Sequence, residues 1–155
     1  MTKITKAGVI GAGVMGSGIA AHLANANVPV VLFDLPAKEG DKNGIVRKAL
    51  DGLKRMQPSP LVTRDKLQYI DAANYEEYLP QLSECDLVIE AIAERMDWKN
   101  DLYLKIAPFL ASTATVASNT SGLSINALVE GLPAALQPNF CGIHFFNPPR
   151  YMPLV

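Results

Sequence analysis

The sequence predicts an α/β domain in which a doubly wound, mainly parallel sheet carries helices on both faces. Three observations predict it. Short apolar runs alternate along the chain with longer amphipathic segments, in the order strand, helix, strand. The runs are near-continuous in Val, Ile and Leu, as strands covered on both faces must be. A glycine-rich turn, Gly11-Ala12-Gly13-Val14-Met15-Gly16, separates the first strand from the first helix.

The elements follow in order. Residues 4–10 read as a strand, 14–26 as a helix rich in small residues, and 28–33 as a second strand broken only by Pro29. Further strands are expected at 87–91, 115–118 and 139–145, and helices at 41–56, 74–82, 97–110 and 124–130. Asp97 is a candidate cap for the third of these helices, and Pro108 stands near its end. Asn27 follows the first helix where glycine is usual, and asparagine tolerates the left-handed conformation such a position needs. Gln57-Pro58-Ser59-Pro60 reads as a loop inside the domain, so residues 1–155 are expected to form one domain.

Composition excludes several classes. With 14 basic and 15 acidic residues, net charge −1 and no block of like charge, there is no electrostatic footprint for nucleic acid or an anionic membrane. No apolar run approaches the roughly 18 residues of a membrane span, and residues 1–6 lack the pattern of a signal peptide. The two cysteines, Cys85 and Cys141, lie in apolar surroundings without metal-type spacing. Both read as small buried hydrophobes in a reducing compartment, with the cytoplasm as the expected location and a disulfide as the minor alternative.

The turn matches G-x-G-x-x-G and stands where a dinucleotide motif must, after a strand and at the head of a helix. Gly11 permits the tight turn, Gly13 removes a Cβ that would block a pyrophosphate, and Gly16 lets the helix pack close. Ala12, Val14 and Met15 complete the loop, and the helix N-terminus offers N–H groups to phosphates. Such turns also serve packing or flavins. Asp34, 23 residues beyond Gly11 at the end of the second strand, matches a carboxylate that accepts both ribose hydroxyls and repels a 2′-phosphate. The domain is therefore read as Rossmann-like and its cofactor as NAD rather than NADP. Asp34 as a simple turn former before Pro36 is the alternative.

Three more segments end expected strands, at the edge where open α/β sheets hold ligands. They are Asp86-Leu87-Val88-Ile89-Glu90-Ala91-Ile92-Ala93-Glu94, followed by Lys99; Ser118-Asn119-Thr120-Ser121; and His144-Phe145-Phe146-Asn147-Pro148. Each has a plainer reading: a helix-capping turn, a core histidine, a solvated surface lysine. Their joint occurrence downstream of the glycine turn favours chemistry.

Together these motifs resemble the N-terminal domain of 3-hydroxyacyl-CoA dehydrogenases, over essentially the whole chain. The chain is most similar to bacterial fatty-acid β-oxidation proteins, either free-standing dehydrogenases or fusions with an enoyl-CoA hydratase. The resemblance implies oxidation of a (3S)-3-hydroxyacyl-CoA to 3-oxoacyl-CoA with NAD. It makes His144 the proton acceptor, a role suited to an imidazole that exchanges protons near neutral pH. Ser121 is then placed on the reacting oxygen and the nicotinamide end, and Asn147 on nicotinamide and substrate. Ala93 and Glu94 fall near the nicotinamide ribose, and Lys99 on the CoA side.

The resemblance further implies a glutamate that orients the histidine, next after Val155, and a helical C-terminal domain that closes over the acyl-CoA and makes a homodimer. A chain ending at Val155 is thus expected to bind NAD and to turn over little. Dehydrogenases of the β-hydroxyacid type share the glycine loop but rely on a lysine and lack His-Phe-Phe-Asn-Pro. A structural role, as in lens crystallins recruited from this family, is the other rival.

Overall fold

The computed structural model describes residues 3–155; the part of the N-terminal expectation that falls on residues 1 and 2 lies outside the described residues. Six strands form one sheet in the order β3-β2-β1-β4-β5-β6, and every pairing is parallel. The strands are β1 (Ala7–Ile10), β2 (Val30–Asp34), β3 (Ile70–Asn74), β4 (Leu87–Glu90), β5 (Thr115–Ser118) and β6 (Phe140–Gly142). The helices are α1 (Val14–Asn25), α2 (Gly44–Leu53), α3 (Met96–Ile106) and α4 (Ile125–Glu130). Two apolar cores follow, one on each face. Ile19, Ala20 and Ala24 of α1 pack with Val9 and Leu32 on one side. Leu102, Tyr103 and Ile106 of α3 pack with Ile10, Phe33 and Val88 on the other. Burial on both faces is why these strands are apolar without alternation.

Several boundaries differ from the sequence expectation. β1 starts later than residue 4 because the backbone N–H groups of Thr5 and Lys6 bind the Asp86 carboxylate instead of a neighbouring strand. β2 starts after Pro29, which has no N–H to give the ladder. β3 was not expected. It is a short edge strand, Ile-Asp-Ala-Ala-Asn, with a mixed burial pattern and weak strand formers. The helix expected over 74–82 is absent. A turn and a 3-10 segment, Leu79–Glu84, replace it, with Pro80 at the segment's start. Asp97 does not cap α3: Arg95 holds the cap position, and Asp97 pairs with its guanidinium at 2.6 Å in the exposed first turn. Ser124 does cap α4, accepting from the Ala127 N–H at 3.3 Å.

The end of α1 meets its expectation. Asn27 has φ 62°, and the turn closes with Val28 N–H on the Leu23 carbonyl at 3.1 Å. Asn27→Ala is expected to cost about 1 kcal/mol through left-handed strain, whereas Asn27→Gly leaves stability near the wild type. Thermal melting of the two variants checks this, and equal melting points would overturn the strain argument.

Candidate functional site

The chain crosses from β3 at one edge back to β4 on the far side of β1, so the loops after β1 and β4 diverge and leave a crevice at their carboxyl ends. Two adjoining clefts occupy this edge. One, of about 500 Å³, is lined by Gly11, Gly13, Asp34, Tyr75 and Trp98 among others. The other, of about 300 Å³, is lined by Met15, Glu94, Ser121, His144 and Asn147. Ala91, Ile92 and Ala93, just after β4, wall both.

The glycine turn is built as its spacing requires. Gly11 has φ 102°, and a Cβ there would lie 2.8 Å from the Ala91 carbonyl oxygen. A Cβ on Gly16 would stand 1.7 Å from the Gly11 carbonyl oxygen, so Gly16 lets α1 close on the turn itself rather than on the sheet. At Gly13 an added Cβ meets nothing within 4 Å. No packing within the protein demands glycine there. What the missing side chain does is keep the first turn of α1 open. That helix start has no side-chain cap, and its N–H groups lack intrahelical acceptors. Ala12 is buried, and its N–H donates to Asp34 Oδ2 at 2.6 Å; Asp34 Oδ1 accepts from Leu35 N–H at 2.7 Å. Each carboxylate oxygen keeps capacity for a further donor. An open helix start, a carboxylate at the end of β2 and a cleft of this size fit a dinucleotide. Val14 is exposed and lines neither cleft.

In the second cleft, Glu94 grips the turn after β5. Its Oε1 accepts from the Ser121 N–H at 2.6 Å and the Ser121 hydroxyl at 2.9 Å, and its Oε2 accepts from the Gly122 N–H at 2.9 Å. The Ser121 N–H above all holds the Glu94 carboxyl below its ordinary range; burial opposes it, and the Ser121 hydroxyl, Gly122 N–H and Thr120 hydroxyl add to the lowering. A Cβ at 122 would fall 2.7 Å from Glu94 Oε2 and push that carboxylate from its place. His144 follows β6. Its ring meets Phe146 edge-on at 5.0 Å, and its Nδ1 is buried with no partner among the described residues.

Two expectations are corrected. Lys99 lines neither cleft and is not a solvated surface lysine. It is 1% exposed and its ammonium is held by Glu90 at 2.5 Å, because α3 packs that face against the sheet. Cys141 is only half-buried, unlike Cys85, whose thiol burial pushes up to about 11; both thiols are free. Sequence reasoning also passed over Asn119, whose Oδ1 accepts from the Phe145 N–H at 2.9 Å and ties the turn after β5 to the histidine segment. It missed Tyr75 and Trp98 as cleft walls too. A carboxylate at Glu90, inside an apolar strand, was the signal for the buried pair. Among the described residues no group of His, Cys, Asp and Glu is arranged to hold a metal, and no helix is long and apolar enough to cross a membrane.

The sheet order, the glycine turn and Asp34 define the class: a dinucleotide-binding domain of the dehydrogenase type. Comparison with known proteins narrows it. The model of the 3-hydroxyacyl-CoA dehydrogenase NAD binding domain matches residues 6–155. A putative fatty acid oxidation complex trifunctional enzyme of Rickettsia felis is 48% identical over 154 residues, which are 99% of this chain and 21% of that protein. A probable 3-hydroxyacyl-CoA dehydrogenase of Deinococcus radiodurans is 43% identical over 99% of this chain and 44% of its own length. The crystal structure of M. tuberculosis FadB2 superposes with a TM-score of 0.79 at 32% identity, covering 98% of this chain and 53% of that one. The chain therefore belongs to the 3-hydroxyacyl-CoA dehydrogenase family, as its NAD-binding domain. It spans from about a fifth to about half the length of these relatives.

Gly13→Ala is expected to leave stability unchanged and to weaken NAD about tenfold. Gly16→Ala should instead destabilise by about 2–3 kcal/mol through overpacking. Melting and NAD titration of both variants check this, and the roles fail if the two behave alike. The Glu94 grip has a defined pH sense. Since its folded pKa is lowered, the grip stabilises above the ordinary carboxylate range and is lost as pH falls through the lowered value. Amide resonances of Ser121 and Gly122 should shift in that acid window and not near neutrality.

Proposed function

We propose that this chain is the cofactor-binding part of an enzyme that oxidises a (3S)-3-hydroxyacyl-CoA to the 3-oxoacyl-CoA in fatty-acid β-oxidation. The observation that carries the reading is the placement of His144, Ser121 and Asn147 in one cleft that shares its wall, Ala91 to Ala93, with the glycine-turn cleft. NAD, when bound, supplies the hydride acceptor. The residues of the chain supply the rest. Gly11 to Gly16 and the start of α1 receive the pyrophosphate, and Asp34 accepts from the adenosine ribose. His144 takes the 3-hydroxyl proton. Ser121, whose hydroxyl donates to Glu94 in the free protein, turns that donor to the same oxygen as it loses its proton and helps to hold the nicotinamide end. Asn147 orients nicotinamide and substrate. Ala93 and Glu94 lie toward the nicotinamide ribose.

The buried, unpartnered Nδ1 of His144 supports a further part of the proposal: an acceptor from outside residues 3–155 completes the histidine. We assign it to a glutamate following Val155. Phe146, Tyr151, Met152, Leu154 and Val155 stand exposed, which supports a helical C-terminal domain covering them and carrying the acyl-CoA and homodimer contacts. The cytoplasm as the working compartment draws support from the two free thiols.

The test uses Trp98, the single tryptophan, which lines the larger cleft. NAD should quench its fluorescence in this chain, while turnover of acetoacetyl-CoA with NADH stays about 10³-fold or more below that of a longer protein carrying the glutamate and helical domain. Native-like turnover by residues 1–155 would refute the division of labour. Absence of NAD binding would refute the cofactor assignment.

A further inference from the structure

Beneath both clefts lies a buried polar cluster that touches neither. Glu90, at the end of β4, is 0% exposed and accepts four hydrogen bonds. Its Oε1 takes the Ile92 N–H at 2.7 Å and the Lys99 ammonium at 2.5 Å. Its Oε2 takes the Tyr103 hydroxyl at 2.8 Å and the Ser118 hydroxyl at 2.6 Å. An apolar set of similar volume is generally no less stable than a buried ion pair, so stability alone is a weak reason for the pair.

Geometry supplies a stronger one. By accepting from Ile92, two residues on, Glu90 turns the backbone at the end of β4 and sends residues 91–94 across the crevice. Ala91 then binds the Ile10 carbonyl through its N–H and sets its own carbonyl against Gly11. Ile92 and Ala93 wall both clefts, and Glu94 reaches Ser121. The Ser118 bond locks the end of β5 to the same carboxylate. We infer that Glu90 and Lys99 are positioning residues for the dinucleotide: as a neutralised pair they fix residues 91–94, and so set NAD affinity, without touching the cofactor. The inference rests on the NAD reading of the larger cleft.

A charge deprived of its partner leaves the interior for water and pulls the 91–94 segment with it, whereas the neutral form stays. The two single variants therefore fail in opposite directions of pH. The groups facing the pair are the Tyr103 hydroxyl from α3, the Ser118 hydroxyl from β5 and, further off, Tyr75 beyond β3, whose hydroxyl burial and the Asp34 and Glu90 charges push up. None of them replaces the missing charge.

NAD dissociation constants relative to wild type, read from Trp98, should rise about tenfold for Lys99→Met as pH goes from about 6 to about 8.5. For Glu90→Gln they should rise as pH goes down over that window. The double variant should be flat and within about threefold of wild type. Parallel, pH-independent ratios with lowered melting points would reduce the pair to a structural role and overturn the inference. If one single variant does not fold, the other and the double variant still decide it. Amide shifts of Ile92 and Ala93 in the free protein give a separate readout. Wild type that fails to bind NAD sinks the cofactor reading, while unmoved Ile92 and Ala93 amides in the folded single variants sink the positioning role.

Discussion

The arrangement depends on the reversal of strand order about β1. β2 and β3 lie on one side of it, and β4, β5 and β6 on the other. A parallel sheet built outward from its first strand needs a long crossover to change direction, and the loops flanking that change point to opposite faces. The gap between them leaves the carboxyl ends of β1 and β4 open. The glycine turn sits on one side of this gap, and residues 91–94 on the other. Both clefts inherit their position from that topology, and Asp34 at the end of β2 and Glu94, Ser121 and His144 just beyond β4, β5 and β6 reach them for the same reason.

Within this frame the two faces of the site are set by different forces. The glycine turn is shaped by contact between backbone atoms: Gly11 and Gly16 are pressed so close to carbonyl groups that side chains are excluded. The far wall is shaped by charge. Glu90 gathers donors from α3, from β5 and from its own strand end, and Glu94 does the same for the turn at Ser121. Burying an ion pair carries a desolvation penalty that attraction offsets only when every remaining lone pair is satisfied. Glu90 meets that condition with four donors. The Nδ1 of His144, by contrast, is buried without a partner among the described residues.

Much of this was legible because the informative residues are local. The glycine spacing, the carboxylate ending the second strand and the Ser-Asn-Thr-Ser and His-Phe-Phe-Asn-Pro segments each encode a turn whose shape depends on neighbours in sequence. β3 was not legible: at the sheet edge it needs little apolar surface, so Ile-Asp-Ala-Ala-Asn carries no strand signature. The helix expected over 74–82 failed because an apolar periodicity was read through Pro80. Lys99 was expected on the CoA side from its match to the family pattern, and only the partner across the core shows that it points inward instead.

By itself the sequence determined the class of fold, the glycine turn and its carboxylate, and the family, since these reside in short-range patterns and in residue types that few other turns tolerate. The tertiary structure alone decided which strand ends share an edge, that one wall serves both clefts, and that Lys99 points inward to Glu90. The reason is distance along the chain. Asn119 and Phe145, or Glu90 and Ser118, are 26 and 28 residues apart, and only the packing of the sheet brings such partners within a hydrogen bond of one another.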